Sequence, residues 1–484
     1  MDTPRKVTTG WHVVPAPLAL VVLAGCMAPA VPRAPDIETY LPKPAHGAPP
    51  SDTQPPDRAE APTLARDEEA PPLTLEACVR IALDTNPLGR AAREGVAAAR
   101  AAVGEARAPY YPEVGAGAGY QRFERHIFLP KGLTAQRNVP PTVGPTNDWF
   151  ANLRVRYTLI DFGERRAQLR TALARQEVAK EEAEAIRQDI ALNVHQAYYG
   201  LVAARESLGV ARKNLERAET HLALARKRKA AGAVPKADVV RARVEVANSC
   251  LGLVRAEALV GVLRGSLNTA MGLPVEMPVE VALSPSDAVS KPLNRAAALD
   301  TAVRARPELR AALQRVAAGR SSVDADRRAF GPRVVGEASW GRRDEDFWPE
   351  DPEWSVGAAI EWPLFTGGSR THRLARTKAE LGREEAEARW LVLKVRDEVW
   401  SAHWKLEEAR EALDAAEALV TDAQESMRAV RERYEAGADT INDLLDAQTA
   451  LASAEAVRVK TELDCRVAHS AFRRAVGTLL ESDP

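Results

Sequence analysis

Residues 201–225 read LVAARESLGVARKNLERAETHLALA, and residues 406–430 read LEEAREALDAAEALVTDAQESMRAV. Apolar residues recur in both segments at alternating spacings of three and four, which is the seam pattern of a coiled-coil helix. The two seams match position for position at a shift of 205 residues. They consist of Leu201, Ala204, Leu208, Ala211, Leu215, Ala218, Leu222 and Ala225, and of Leu406, Ala409, Leu413, Ala416, Val420, Ala423, Met427 and Val430. The sequence therefore contains a long helix in two copies.

A glycine follows each long helix, and a second apolar seam follows the glycine. Gly232 and Gly437 stand at the same shift of 205 residues, and the next seams begin at Val239 and Leu444. Glycine often ends a helix because it adopts left-handed backbone angles without steric cost. We therefore predict a helical hairpin in each copy, with its turn at Gly232 or Gly437.

The duplication extends to the segments that precede the long helices. The sequence NPLGRAA at 86–92 recurs as RPELRAA at 306–312. We predict two internal structural repeats, residues 73–285 and residues 286–480. The expected fold is mainly α-helical with a small β part, and long coiled-coil hairpins make up most of it.

Four short segments between the helices alternate apolar and polar residues. We predict strands near residues 113–122, 149–160, 333–342 and 354–363. The segments 149–160 and 354–363 each have an apolar face, a mostly polar face, and aromatic residues at or near the ends, which is typical of transmembrane β-strands. In their partners, apolar residues alternate with three glycines in 113–122, and with Val335, Glu337 and Ser339 in 333–342. A pair of hairpins in a soluble, water-facing sheet is the alternative.

Four transmembrane strands cannot form a barrel by themselves. Open strand edges are not tolerated in lipid because their amide groups would lack hydrogen-bond partners, and a closed barrel needs at least about eight strands. Copies of the chain must therefore pool their strands. Hydrogen bonding alone does not distinguish a dimer from a trimer, and three copies would give about twelve strands.

The N-terminal sequence predicts a bacterial lipoprotein. A positively charged start and a short apolar run lead into LAGC at 23–26, which is typical of a lipobox. We predict that residues 1–25 are a signal peptide and that Cys26 carries a covalent diacylglycerol and fatty acid. The proline-rich residues 26–72 would then form an extended tether. An ordinary signal peptide with an incidental cysteine is the alternative.

Charge and cysteine usage argue against several other classes of protein. The chain has 66 Lys and Arg against 67 Asp and Glu, so it lacks the basic footprint of a nucleic-acid-binding protein. Cys78, Cys250 and Cys465 share no paired or metal-ligating spacing. We predict no nucleic-acid partner, no metal site, no cofactor and no enzymatic activity.

Several motifs, taken in order, resemble the outer membrane efflux protein family that includes TolC. They are LTLEA at 73–77 with NP at 86–87, APYYP at 108–112, IDFG at 160–163 and WPLFTGG at 362–368. Together with the lipobox, they make the chain similar to the outer membrane factor lipoproteins of tripartite efflux systems. The resemblance implies a homotrimer with a twelve-stranded barrel in the outer membrane and a helical α-barrel that extends into the periplasm.

The resemblance also implies a function and partners. It predicts a passive outer-membrane channel that exports drugs or other toxic small molecules. A periplasmic adaptor, also called a membrane fusion protein, would connect the channel to an inner-membrane transporter, which we expect to be of the resistance-nodulation-division type. Alternatives are a duct for type I protein secretion or metal efflux, a non-channel periplasmic coiled-coil adaptor, and a structural envelope tether.

The family resemblance assigns a constriction to the helix that follows the second turn. Asp443 and Asp446 match paired aspartates that narrow the periplasmic entrance. Three copies would place six carboxylates at one narrow level, where they would attract cations. The alternative is that both aspartates merely cap or solvate the start of a helix.

The resemblance further assigns a gate. Tyr434 and Asp238 match a tyrosine and an aspartate that tie neighbouring helices together in the closed state, which predicts that Tyr434→Phe or Asp238→Ala raises ion conductance. The family's gate also uses an arginine after the turn, and Asp439 stands at that position. Asp439 therefore either helps to hold the gate in another way or adds to the acidic constriction.

Overall fold

The computed structural model describes residues 72–124, 127–128, 142–143, 146–282 and 294–481. The predicted signal peptide, the predicted lipid anchor Cys26 and the predicted tether up to residue 71 lie outside the described residues.

The described residues form eight α-helices in two sets of four. They are α1 (Leu75–Thr85), α2 (Pro87–Arg107), α3 (Glu164–Ala230), α4 (Lys236–Met271), α5 (Arg295–Ala305), α6 (Pro307–Arg328), α7 (Ser369–Glu435) and α8 (Ile441–Val476). Corresponding helices of the two sets have 11 and 11, 21 and 22, 67 and 67, and 36 and 36 residues. The internal duplication predicted from the seams is confirmed.

The long helices α3 and α7 determine the elongated form of each repeat. At 1.5 Å per residue each is about 100 Å long, whereas the return helices α4 and α8 reach only about half as far. α3 packs against α4, α7 packs against α8, and α3 also contacts α8. The two hairpins of one chain therefore lie side by side.

Short helices supply the length that the return helices lack. Pro87 occupies the first turn of α2, where its missing N–H costs no hydrogen bond. Asn86 accepts a hydrogen bond from the Leu88 N–H at 2.9 Å and donates one to the Ala270 carbonyl at 2.9 Å. This residue therefore joins the start of α2 to the end of the return helix α4.

A network of charged side chains joins the two repeats about halfway along the hairpins. Arg474 of α8 pairs with Asp189 of α3 at 2.7 Å and with Glu308 of α6 at 2.6 Å. Arg306 pairs with Glu308 at 3.0 Å and with Glu398 of α7 at 2.8 Å. Both arginine side chains are buried, so the paired carboxylates compensate their charge.

The described strands form one four-stranded sheet and one short two-stranded sheet. The strands are β1 (Glu113–Phe123), β2 (Ile127–Phe128), β3 (Thr142–Val143), β4 (Thr146–Ile160), β5 (Arg333–Asp344) and β6 (Pro352–Glu361). The larger sheet is antiparallel in the order β1-β4-β5-β6, and β2 pairs with β3. The four predicted strands are confirmed to within a few residues.

The larger sheet has one apolar and one polar face, as predicted. Trp354, Val356 and Ile360 of β6 project from the same face and are each more than 70% exposed in the single chain. The opposite face carries ion pairs, including Arg156 with Glu361 at 2.8 Å. The apolar face of the sheet is exposed, and the charged side chains of the polar face pair with one another. Such a sheet suits contact with lipid on one side and with water on the other.

Helix α4 carries an additional apolar seam that packs against none of the described residues of the same chain. Its residues recur at alternating spacings of four and three and are exposed: Val240, Val244, Ala247, Leu251, Val254 and Ala258. By length and composition, α4 is the one helix among the described residues that could cross a membrane, yet its other seam packs against α3. The exposed seam is therefore available for contact with another protein surface.

Candidate functional site

The two hairpin turns have the same backbone structure. Gly232 and Gly437 adopt left-handed angles, with φ of +76° and +79°. Each turn is closed by two backbone hydrogen bonds in the pattern of a Schellman motif. In the first turn, the Gly232 N–H donates to the Lys229 carbonyl and the Ala233 N–H donates to the Arg228 carbonyl, both at 2.9 Å. In the second, the Gly437 N–H donates to the Tyr434 carbonyl at 3.0 Å and the Ala438 N–H donates to the Arg433 carbonyl at 2.9 Å. Both predicted glycines thus lie where the chain reverses direction.

The first turn of α8 is held by a reciprocal capping box. The Thr440 hydroxyl accepts a hydrogen bond from the Asp443 N–H, while the Asp443 carboxylate accepts from the Thr440 N–H at 2.9 Å and from its hydroxyl at 2.6 Å. The hydrogen bonds from the Thr440 side chain and backbone lower the pKa of Asp443 below its ordinary value. Asp443 therefore caps a helix and stays ionised at neutral pH.

The two predicted constriction residues share one face of α8. Asp443 and Asp446 are exposed, whereas Leu444 and Ala447 are buried in the hairpin seam. The cap uses the Asp443 carboxylate without covering it, so capping and a role in a constriction are compatible. Because a constriction needs several copies of the chain, that assignment stays a prediction.

Tyr434 lies buried where the two hairpins meet, and only 1% of it is exposed. The Arg228 guanidinium of α3 lies 4.6 Å from the centroid of the Tyr434 ring and also donates a hydrogen bond to the Tyr434 carbonyl. The Tyr434 hydroxyl makes no hydrogen bond of regular geometry among the described residues, although the Arg228 side chain lies close enough to interact with it. Burial raises the pKa of this hydroxyl, with the nearby Arg228 and Asp238 charges acting in opposite directions.

Asp238 and Asp439 each pair with an arginine of their own hairpin. Asp238 lies 3.7 Å from Arg241, one turn further along α4. Asp439 lies 2.9 Å from Arg433 at the end of α7. Asp238 is near enough to Tyr434 to affect it electrostatically, but Tyr434 makes its direct contact with Arg228. The gate role of Tyr434, Asp238 and Asp439 stays a prediction, and its geometry here centres on the tyrosine ring and carbonyl.

Two functional candidates were not found from the sequence. Arg228 lies inside the basic run RKRK at 226–229, which reads simply as positive charge at a helix C-terminus. Arg217 makes a bidentate pair with Glu455 of α8, at 2.8 and 3.1 Å. His221, one heptad before Arg228, is buried in the structure, but the spacing of the apolar seam continues at position 229, so no local sequence signal identified Arg228.

Comparison with known proteins gives one family. The sequence profile of the family described as "Outer membrane efflux protein" matches residues 78–273 and 298–478. These two segments correspond to the helical and strand elements of the two repeats.

Individual proteins are similar over most of the chain. Protein CyaE of Bordetella pertussis is 28% identical over 85% of this chain and 86% of its own length. Pyoverdine export outer membrane protein OpmQ of Pseudomonas aeruginosa is 26% identical over 84% of this chain and 85% of its own length.

Solved structures share the fold. The outer-membrane channel OprN superposes with a TM-score of 0.72 at 24% identity, over 83% of this chain and 89% of its own. The MtrE outer membrane channel of Neisseria gonorrhoeae, solved in an open state, gives a TM-score of 0.70 at 22% identity, over 84% and 89% of the two chains.

Proposed function

The chain belongs to the outer membrane efflux protein family, and we propose that it is the channel subunit of a tripartite efflux pump in the outer membrane. Three copies would form one passive, water-filled duct through which small molecules leave the cell. The family consists of channel proteins, and we propose no enzymatic activity and no cofactor for this member.

The open edges of the sheet carry this proposal. The four-stranded sheet ends at β1 on one side and β6 on the other, and its exposed apolar face suits lipid. Unpaired backbone groups at those edges would be costly in hydrocarbon. Pairing of β6 in one copy with β1 in the next removes the cost, and three copies close a barrel of about twelve strands.

The internal repeat supports the same assembly in the helical part. Within one chain, Tyr199 and Val202 of α3 lie against Val459 and Leu463 of α8. A shift of 205 residues converts the two α3 residues into Trp404 and Glu407 on α7, and the two α8 residues into Val254 and Ala258 on α4. Trp404, Val254 and Ala258 are exposed, and Glu407 is half-buried.

Among the described residues of one chain, these shifted surfaces on α4 and α7 stay uncovered. We propose that α4 of one copy packs against α7 of the next in the way that α8 packs against α3. The exposed apolar seam of α4 then becomes part of a continuous wall of helices.

The proposed partners and localisation follow from the family. A periplasmic adaptor would dock at the hairpin turns and connect them to an inner-membrane transporter, most simply one of the resistance-nodulation-division type. The names of relatives refer to pyoverdine export and toluene efflux, which favours small organic molecules as substrates. Acylation of Cys26 would tether the mature N-terminus to the outer membrane in addition to the barrel.

The proposed entrance lies at the hairpin turns. Asp443 and Asp446 of three copies would form a negative ring there, which attracts cations and repels anions. Tyr434 and its contacts would hold the helices together in the closed state, and docking of the adaptor would favour the open one.

Single-channel recording tests the proposed function. Purified protein added to a planar lipid bilayer should give discrete conductance steps, since three copies enclose a continuous water path. Detergent alone and heat-unfolded protein are the controls. Folded, membrane-inserted protein that gives no steps would contradict the channel assignment.

A further inference from the structure

We propose that Arg228 is a positioning residue that locks the two hairpin turns of one chain together and so keeps the channel entrance closed. The inference rests on the proposed function, because the turns gate a path only if copies of the chain form a channel. The inference is drawn from the contact of the Arg228 side chain with two groups on the other hairpin.

Arg228 contacts Tyr434 through both the side chain and the backbone. Its guanidinium faces the aromatic ring at 4.6 Å from the centroid, and its Nη1 donates a hydrogen bond to the Tyr434 carbonyl. That carbonyl lies in the last turn of α7, where the helix dipole favours a cation. The two interactions must break together when the turns move apart.

The basic run around Arg228 shows that this placement is specific. Arg226, Lys227 and Lys229 are exposed, whereas Arg228 is half-buried. All four positive charges stabilise the C-terminus of α3, because they lie at the negative end of the helix dipole. Only Arg228 reaches the second hairpin in the contacts between described residues, so its role goes beyond stabilising its own helix.

The second repeat does not reproduce the contact. Arg433 is the equivalent of Arg228 at a shift of 205 residues, and it pairs with Asp439 of its own turn at 2.9 Å. The equivalent of Tyr434 at the same shift is Lys229, which offers no aromatic ring and repels a guanidinium. By the repeat symmetry, the corresponding contact between copies lacks this lock, so the lock acts within each chain.

Apolar and ionic contacts place the guanidinium. Leu224, one turn before Arg228, packs against the cluster that contains Met427 and Tyr434. Arg217 holds α3 to Glu455 of α8 at 2.8 Å. These contacts bring α3 close to the second hairpin, and Arg228 contacts that hairpin nearer to the turns than Leu224 or Arg217 does.

Single-channel conductance of Arg228→Ala in planar bilayers tests the lock. Loss of a cation–π contact and of a charged hydrogen bond should raise the ratio of open to closed channels by about tenfold or more. Arg228→Lys should give a smaller rise, because an ammonium keeps the charge but lacks the planar fork. Lys227→Ala, which removes an exposed charge from the same turn, should leave conductance at the wild-type level.

The outcomes separate this inference from the proposed function. Wild-type conductance in Arg228→Ala, with oligomers as heat-resistant as the wild type, would overturn the lock while the channel assignment stands. An equal rise in Lys227→Ala would also overturn it, because general loss of positive charge would then be the cause. Absence of channels in the wild type would instead refute the proposed function.

Discussion

The Arg228 guanidinium contacts the ring and the carbonyl of Tyr434, whereas the Tyr434 hydroxyl makes no hydrogen bond of regular geometry among the described residues. The family resemblance suggests that the tyrosine acts through a contact with Asp238. In this structure the tyrosine joins the hairpins through its ring and backbone. The two possibilities give opposite expectations for removal of the hydroxyl.

We expect Tyr434→Phe to leave single-channel conductance close to that of the wild type, because phenylalanine keeps the ring under Arg228. Tyr434→Ala removes the ring and should raise conductance. A large rise in Tyr434→Phe would show that the hydroxyl is essential to the closed state and would restore the expectation from the resemblance.

The acidic ring is tested by replacing Asp443 and Asp446 together with asparagine. Asparagine keeps an oxygen that can accept the hydrogen bonds from Thr440, so the cap is retained while the charge is removed. We expect the double variant to lose block by multivalent cations.

Asp464→Asn is the matched control for the acidic ring, since Asp464 is an exposed carboxylate of the same helix about 27 Å from Asp446. It should remain as sensitive to block as the wild type. Undiminished block in the double variant would refute the constriction and leave only the capping role.

The lipid face of the sheet is tested by two neighbouring substitutions in β6. Val356→Arg places a charge on the apolar face, which should cost about 2–4 kcal/mol near the bilayer midplane and reduce insertion. Gly357→Arg places the same side chain on the polar face, in open space opposite Glu337, and should be tolerated. Urea unfolding in lipid vesicles measures the free energy of unfolding of each variant. Equal destabilisation by the two variants would argue against a lipid-facing sheet.

The charged network predicts a pH dependence of stability. Burial alone would raise the pKa of Glu308, but hydrogen bonds and charges from Arg474 and Arg306 outweigh it and hold the pKa below its ordinary value of 4.5. A carboxylate with a lowered folded pKa contributes stability that is fully present above pH 4.5 and is lost as the pH falls through the folded value.

Comparison of thermal unfolding at pH 7 and pH 3.5 measures this contribution. Glu308→Gln should lower the midpoint temperature of unfolding at pH 7, and it should reduce the difference between the midpoint temperatures at pH 7 and pH 3.5. Glu257→Gln, at an exposed position of α4, is the control and should keep the wild-type difference. An unchanged difference in Glu308→Gln would mean that the network adds no pH-dependent stability.

The sequence predicted the helices, hairpins and strands because each repeats a local period. The seams of α3 and α7, the glycines 232 and 437 and the alternation in β6 carry that information in neighbouring residues. Contacts between distant elements leave a weaker trace. Arg228 lies 206 residues from Tyr434, and nothing in its local sequence distinguishes it from Lys227. The structure was needed to show which basic residue faces inward.

The capping box shows the limit of assignment by resemblance. Asp443 matched a constriction residue, and the same carboxylate also caps α8 through Thr440. The TxxD pattern at 440–443 is a local cap signal that was open to recognition from the sequence alone. The capping alternative raised from the sequence is thus right for Asp443, and the hydrogen-bond geometry shows that it is compatible with the role in the assembly that the resemblance suggested.

Native mass spectrometry of the protein purified in detergent tests the central claim most directly. If each chain contributes an incomplete sheet to one shared barrel, the particle should have three times the mass of a single chain, and dilution in detergent should not separate it. A stable monomer that remains folded and soluble without detergent would contradict the account.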